Sequence, residues 1–244
     1  MRSYLATVSD FLAHLNQDGF GLVPQPLSRP SDAEHVVSFV PGEVHNDDWP
    51  EQCRSDVALG KIARMVRRFH ESSARYRSSA SLDWISGRQP LRDGEVVLHG
   101  DFSMANLVWD GAEPVGIIDW EFAEPGPAYH DVLHAMLNLV PLFSDTISRN
   151  MGFETSPNRI ARMELFLAEY GTPTTFRYPE GDLTPRSALM DAISLLERDR
   201  SRFLVLGGEQ RVEPWASYFD RGFVEGNIAV TDWLREFERR GDLQ

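Results

Sequence analysis

Four polar residues in the middle of the chain have the types and spacing of a site that moves a proton beside a bound cation. His99, Asp101 and Asn106 follow the pattern H-x-D-x-x-x-x-N, and Asp119 comes directly after the apolar run 115–118. An aspartate in such a loop can accept the proton of a substrate hydroxyl, while an asparagine amide and a second carboxylate offer the hard oxygen ligands that Mg²⁺ prefers. The pattern therefore predicts phosphoryl transfer, with Asp101 as the base and Asn106 and Asp119 as metal ligands.

A β-hairpin is predicted to bring the two metal ligands together. Residues 107–109 and 115–118 are apolar, and the turn-forming Asp-Gly pair at 110–111 lies between them. A chain reversal at this pair would return Asp119 to the neighbourhood of Asn106.

Two residues that precede Asp101 are expected to shape its loop. His99 is a candidate catalytic residue whose main role is expected to be orientation of the loop. Gly100 allows a tight backbone at a place where a side chain would crowd the site.

The remaining elements predict an α+β fold, because the strands fall before residue 120 and most helices after it. Apolar periodicity and turn residues predict strands at 35–40, 95–99, 107–109 and 115–118, a loop at 78–93, and helices at 4–16, 56–74, 128–142, 159–170, 185–205 and 215–239. A boundary between two lobes is expected within residues 40–47.

Composition limits the class of protein. The chain has 244 residues, of which 42% are hydrophobic and 25% charged, as is typical of a globular protein. It has no apolar run of roughly 18–20 residues that could cross a membrane, and its N-terminus lacks the pattern of a signal peptide. The single cysteine, Cys53, excludes an internal disulfide framework. We therefore expect a cytoplasmic protein without a membrane partner.

The formal net charge of −13 argues against a nucleic-acid partner, whose phosphates require a cationic surface. It permits a cationic small substrate, which an acidic cleft would attract. Acidic residues in the C-terminal helices could meet a polyamine or could form a solvated face; these are Glu197, Asp199, Glu209, Glu213, Asp220 and Glu225.

The motif stretch resembles the aminoglycoside phosphotransferase and choline kinase superfamily, the small-molecule relatives of protein kinases. In that superfamily the loop reads H-G-D-x-x-x-x-N and the metal-binding strand ends in I-D-[WFY]-E, and this chain has both, the second at 118–121. Trp120 stands where protein kinases have phenylalanine, which favours the small-molecule branch. The segments 65–74 and 125–135 are also similar, and the resemblance implies that Asp131 braces the catalytic loop.

The resemblance implies a protein-kinase-like fold with a truncated N-terminal lobe. Residues 1–43 would be the remnant of the nucleotide-binding lobe and its hinge, and residues 44–244 the mainly helical lobe with the catalytic loop and substrate region. The implied nucleotide is ATP. The hinge residues Ser38, Phe39 and Val40 would meet its adenine, and Leu107 and Ile118 would line the adenine pocket.

One departure from the superfamily concerns the cation that holds the α- and β-phosphates. Family members carry it on strands that precede the first helix of this chain, and Lys61, the only lysine, lies in the helix after the hinge. Three explanations are open: a start site placed too late, a degenerate kinase, or a homodimer mate or partner chain that covers the open sheet edge. The loss predicts weak or absent ATP-dependent activity for these residues alone.

Two function hypotheses follow. The first is transfer of the γ-phosphoryl of ATP to a hydroxyl of a small cationic molecule, aminoglycoside-like or an amino alcohol. The second is a catalytically impaired kinase-like protein that binds a small ligand or regulates. A separate metal site is a further alternative, because His130, Asp131 and His134 include histidines four positions apart on one helix face.

Overall fold

The computed structural model describes residues 4–30, 34–77, 82–171, 178 and 183–240. Its helices and short antiparallel strands confirm the α+β class expected from the sequence. None of the described helices combines the length and the apolar character that a membrane span needs.

The first helix, α1 (Tyr4–Gln17), closely matches the predicted helix 4–16. The strand expected at 35–40 was wrong, because this segment forms an isolated antiparallel bridge between Pro26 and Val37. Pro26 has no N–H to donate, and Phe39 is 82% exposed, so neither a full ladder nor burial extends the pairing.

Two helices precede the strands that carry the motif loop. The short helix α2 (Glu51–Arg54) leads into α3 (Asp56–Ser73), whose N-terminus is capped where the Ser55 hydroxyl accepts a hydrogen bond from the Ala58 amide at 3.1 Å. The helix α3 agrees with the prediction for residues 56–74. Its apolar face buries Phe69 completely.

In the described part of the chain, six short strands make three antiparallel pairs. They are β1 (Leu82–Trp84) with β2 (Gly87–Gln89), β3 (Val96–Leu98) with β6 (Glu124–Gly126), and β4 (Leu107–Asp110) with β5 (Glu113–Ile117). The predicted hairpin is confirmed as β4–β5, with Leu107 opposite Ile117. The prediction of a loop at 78–93 was wrong for 82–89, where β1 and β2 pair, and residues 78–81 lie outside the described residues.

The C-terminal half is helical, as predicted. Its helices are α4 (Tyr129–Leu139), α5 (Asp145–Asn150), α6 (Arg159–Tyr170), α7 (Pro185–Arg202), α8 (Trp215–Asp220) and α9 (Phe223–Arg239), and a π-helical segment, Phe203–Glu209, follows α7. The predicted single helix 215–239 is interrupted because Gly222 adopts a φ of +80°.

One apolar core extends from α1 to α9. At its centre the rings of Phe11 and Phe69 both meet the Trp120 ring edge-on, at centroid distances of 5.9 and 5.2 Å. Trp120 belongs to the motif stretch, so the core packs directly under the candidate site. Residues on both sides of the expected boundary share this core, and the division at 43/44 stays a prediction.

Candidate active site

The loop after β3 is held by a buried carboxylate. Asp131, near the start of α4, is fully buried and accepts hydrogen bonds from the backbone amides of His99 at 2.8 Å and Gly100 at 2.9 Å. Burial alone would raise the pKa of Asp131, but the hydrogen bonds from His70 and the Gly100 amide hold it below its usual range. The expected brace of the catalytic loop is therefore present.

The brace continues through two more buried side chains. His70 of α3 donates from Nε2 to Asp131 at 3.1 Å, and its Nδ1 lies 2.8 Å from the Tyr170 hydroxyl of α6. Burial raises the pKa of Tyr170, which stays a neutral phenol. His70 lies in the segment 65–74 that resembles the superfamily, but its contact with Asp131 was not predicted. Sequence reasoning also missed Tyr170, which carries no local signal because it lies 100 positions from His70.

His99 joins the loop to the end of β5. Its Nε2 donates to the Ile118 carbonyl at 2.9 Å, so Nδ1 is the acceptor for the Asp101 amide at 3.2 Å. The ring is fully buried and meets the edge of Trp120 at 4.6 Å. With both nitrogens engaged, His99 has the contacts of a residue that positions the loop.

Asn106 fixes the carboxylate of Asp101. Its amide nitrogen lies 2.9 Å from Asp101 Oδ2 and 2.9 Å from the Asp101 carbonyl oxygen. The amide oxygen is then the Asn106 atom that can bind a cation. The Ile118 amide donates to the Asn106 carbonyl at 2.9 Å, which places Asp119 one residue away from this contact. The hairpin thus brings the two predicted metal ligands to the same end.

Asp119 has a strained backbone, with a φ of 63° in the region that non-glycine residues rarely adopt. Loss of water around it raises the pKa of Asp119, and the nearby Asp101 carboxylate raises it further. A carboxylate and an amide oxygen beside a second carboxylate fit a hard divalent cation that keeps waters and binds phosphates.

The alternative prediction of a separate metal site at His130, Asp131 and His134 of α4 was wrong. The Asp131 carboxylate faces the catalytic loop, whereas His130 Nδ1 lies 3.3 Å from Arg198 and His134 Nε2 lies 3.8 Å from Asp199. Within the described ranges, no three histidine, cysteine, aspartate or glutamate side chains group as metal ligands.

Gly100 is required by its surroundings. Its φ is +80°, and a Cβ added there would lie 2.5 Å from the Phe122 carbonyl oxygen. Gly94 has a similar φ of +84° with nothing within 4 Å of an added Cβ.

We expect Gly100→Ala to lower the free energy of unfolding by about 2–4 kcal/mol, because the left-handed backbone and the contact with a backbone oxygen add. Gly94→Ala is the matched control and should lose about 1–2 kcal/mol from the backbone alone. Urea unfolding of both variants measures the difference. Equal losses would show that the contact with Phe122 can relax.

The three residues predicted to contact adenine differ in how exposed they are and in what they contact. The Ser38 amide is already bonded to the Gln25 carbonyl at 2.8 Å, and Phe39 is 82% exposed. Val40 packs against Gly116 of β5.

Of the two residues expected to line the adenine pocket, Leu107 is fully buried in the core and Ile118 is half-buried. The side chain of Leu107 points from β4 into the core, and the adenine contacts of both residues stay predictions. A homodimer mate or partner chain over the open sheet edge stays a prediction.

Lys61, the only lysine of the chain, and Asp10 on α1 both have partners within the fold. Lys61 pairs with Glu113 and bonds to the Ala112 carbonyl at 3.3 Å, so it secures the β4–β5 turn. Asp10 of α1 accepts a hydrogen bond from the Tyr76 hydroxyl at 2.8 Å.

A cleft of about 350 Å³ opens beside Asp101, and sequence reasoning did not anticipate its lining. One part of the lining is aromatic, from Phe122, Phe203, Trp215, Tyr218 and Phe223, and the other is charged or titratable, from Asp101, Glu124, His130, His134, Arg198, Asp199, Arg202 and Arg221. The only local signal was the cluster of aromatic residues with an arginine at 215–223.

The cleft has a balanced charge, because its lining includes three arginines beside three carboxylates, and a cationic substrate stays a prediction. Of the acidic residues proposed to meet a polyamine, Asp199 is the one that lines the cleft. Glu197 pairs with Arg235, and Asp220 pairs with Arg211. These carboxylates mostly form an ion-paired, solvated face.

Comparison with known proteins supports the resemblance of the motif region to a known family. The profile of the "Phosphotransferase enzyme family" matches residues 77–164, the range that contains the motif loop, the β4–β5 hairpin and Asp131. The match covers the part of the chain that carries the motif, and it supports the expected resemblance to this family.

Solved structures of small-molecule phosphotransferases share the fold of this chain. The structure of an amicoumacin kinase in complex with AMP-PNP, Ca²⁺ and Ami has a TM-score of 0.57 at 14% identity, over 94% of this chain and 78% of the kinase. A macrolide 2'-phosphotransferase from Brachybacterium faecium has a TM-score of 0.51 at 14% identity, over 96% of this chain and 80% of that enzyme. The expected kinase-like fold class is confirmed.

A curated relative is closer in sequence. The trifolitoxin immunity protein of Rhizobium leguminosarum bv. trifolii is 31% identical over 172 residues, which are 68% of this chain. The chain spans 64% of the length of this relative. His70 and Tyr170, which complete the brace of the phosphotransferase loop, both lie outside the range of the family profile.

Proposed function

We propose that this chain transfers the γ-phosphoryl group of ATP to a hydroxyl group of a small molecule. The observation that carries the proposal is the Asp101 carboxylate, which Asn106 holds at 2.9 Å and which lines the cleft of about 350 Å³. A fixed carboxylate at a cleft beside two hard-oxygen ligands supports phosphoryl transfer.

In this mechanism the acceptor hydroxyl donates a hydrogen bond to Asp101. As its oxygen attacks the γ-phosphorus, Asp101 takes the proton, a new oxygen–phosphorus bond forms, and the bond to the β,γ-bridging oxygen breaks so that ADP leaves with the electron pair. Asn106 and Asp119 would hold Mg²⁺, which when bound neutralises charge on the phosphate oxygens. His99 and Asp131 keep the loop in place while the proton moves.

The names of the compared proteins support a protective role for this reaction. The solved enzymes are named for amicoumacin and macrolides, and the curated relative is named for immunity to trifolitoxin. We therefore propose that phosphorylation by this chain protects against a toxic small molecule. The balanced charge of the cleft gives no support to a strictly cationic acceptor.

Titration calorimetry with Mg·AMP-PNP tests the proposal. Asp119→Asn is expected to weaken binding by about 10–100-fold, because it removes the charged oxygen ligand while it keeps the size of the side chain. Asp110→Asn, an exposed position at the end of β4, is the matched control and should bind like the original chain.

Transfer is then followed by ³¹P NMR with Mg·ATP and a panel of hydroxylated compounds. If Mg·AMP-PNP does not bind to the original chain but a compound of the panel does, the phosphotransferase proposal fails and the alternative of a ligand-binding protein is supported. Binding that is insensitive to Asp119→Asn would contradict the assigned metal ligands.

A further inference from the structure

The aromatic part of the cleft forms a continuous wall. The Phe122 ring lies 5.4 Å from Trp215 and 6.0 Å from Tyr218, and Phe203 lies 5.7 Å from Trp215, all measured between ring centroids. Tilted rings in contact offer flat apolar surface on which a planar group can pack.

The wall adjoins the proposed reaction centre. Burial, with the nearby carboxylates of Glu121, Asp101 and Asp119, raises the pKa of Tyr218 to about 12. Tyr218 therefore keeps its proton at neutral pH and stays a hydrogen-bond donor. A ring that packs on this wall would lie near the base that activates the acceptor.

A cation without a carboxylate partner stands at the same end of the wall. The Arg221 guanidinium lies 4.8 Å from the centre of the Tyr218 ring and 5.2 Å from that of Phe223. Among the described residues Arg221 forms no ion pair: its Nε donates to the Ser217 carbonyl at 3.3 Å, and the adjacent Asp220 pairs with Arg211 instead. The rings hold Arg221 in place and leave its charge for a ligand.

Two buried donors in the lining also have no acceptor. The Nε–H of Arg198 and the indole N–H of Trp215 have no hydrogen-bond partner among the described residues, and Trp215 is only 5% exposed. Burial and the Arg198 charge lower the pKa of His130 to about 4, so His130 is neutral and adds no charge to the cleft. Buried donors without acceptors are costly, and an oxygen-rich anionic group on a ligand would satisfy them after a small side-chain movement.

We propose that the cleft selects an acceptor that carries a carboxylate and a flat ring beside its hydroxyl group, with Arg221 and Arg198 binding the carboxylate. This inference rests on the proposed function, because it takes the ligand of this cleft to be the molecule that accepts the phosphoryl group. Guanidinium groups bind carboxylates through paired hydrogen bonds. Arg198 and Arg202 of the lining already pair with Asp199 and Glu124, so Arg221 is the cleft arginine without a carboxylate partner among the described residues.

The test measures binding without nucleotide by calorimetry and saturation-transfer NMR. Three probes of one shape are compared: 4-(hydroxymethyl)benzoate, 4-(hydroxymethyl)benzamide and 4-(hydroxymethyl)benzylamine. We expect the benzoate to bind at least about tenfold more tightly than the benzylamine, as a charge-assisted contact allows. Arg221→Gln should abolish that preference, and Arg198→Gln should reduce it.

Arg239→Gln, on the exposed end of α9, makes the same charge change away from the cleft and should keep the preference. Equal or tighter binding of the benzylamine, no binding of the benzoate at about 10 mM, or a preference that survives Arg221→Gln would each overturn the inference. A carboxylate preference without phosphoryl transfer would instead contradict the proposed function, and transfer to cationic probes alone would contradict only the inference.

Discussion

Asp101→Asn is expected to lower the rate of phosphoryl transfer by about 10²–10⁴-fold, the usual contribution of a positioned general base. The substitution keeps the shape of the side chain, and its oxygen can still accept the hydrogen bond that Asn106 donates at 2.9 Å. The loop therefore keeps its support while the group that takes the proton is lost. Binding of Mg·AMP-PNP should be unchanged or tighter, because a negative charge beside the phosphates is removed.

The measurement is single-turnover transfer from ATP to water and to the most active compound of a hydroxylated panel, with the enzyme in excess so that a slow reaction stays visible. Asp110→Asn is the matched control, since it makes the same change at an exposed position of the β4–β5 hairpin. A transfer rate that falls less than about threefold would mean that Asp101 is not the base.

The parts of the fold that could be predicted are those whose information is local. The helices α1, α3 and α6 follow from apolar residues that recur on one face, and the β4–β5 hairpin follows from two apolar runs around an Asp-Gly pair. The loop motif likewise lies within 21 residues, so its spacing is visible in the sequence.

What could not be predicted depends on pairs that are distant in sequence. The strand β3 pairs with β6 across the whole motif, and His70 meets Tyr170 from another helix. Charge was the weakest guide, because a net charge of −13 does not say which carboxylates already have an arginine. Asp220 is paired with Arg211, whereas the neighbouring Arg221 packs on the Tyr218 ring and has no carboxylate partner among the described residues. The cleft therefore keeps one arginine whose charge is available to a ligand.

Asp131→Ala is expected to lower the free energy of unfolding by about 3–5 kcal/mol, a loss typical of removing one partner from a buried charged network. The carboxylate is fully buried and accepts hydrogen bonds from the His99 and Gly100 amides and from His70. Removing it leaves all three donors without an acceptor inside the protein, and each carries a desolvation cost.

Urea unfolding at neutral pH measures this loss. Asp232→Ala on α9 is the control, because its carboxylate is 67% exposed and its 3.5 Å pair with Arg235 should contribute less than about 1 kcal/mol. Similar losses in the two variants would show that the catalytic loop does not depend on Asp131.

The pH dependence of the stability difference between the original chain and Asp131→Asn separates the charge of Asp131 from its shape. In the folded chain the pKa of Asp131 is held below its usual range, so the unfolded chain takes up a proton first as the pH falls. The stabilisation is therefore fully present above the unfolded pKa of about 4 and is lost as the pH falls through the lower, folded value. The gap between the original chain and Asp131→Asn, which cannot titrate, should narrow in that window. A gap that stays constant to the lowest pH at which the protein is folded would mean that Asp131 acts through its shape and hydrogen bonds, and not through its charge.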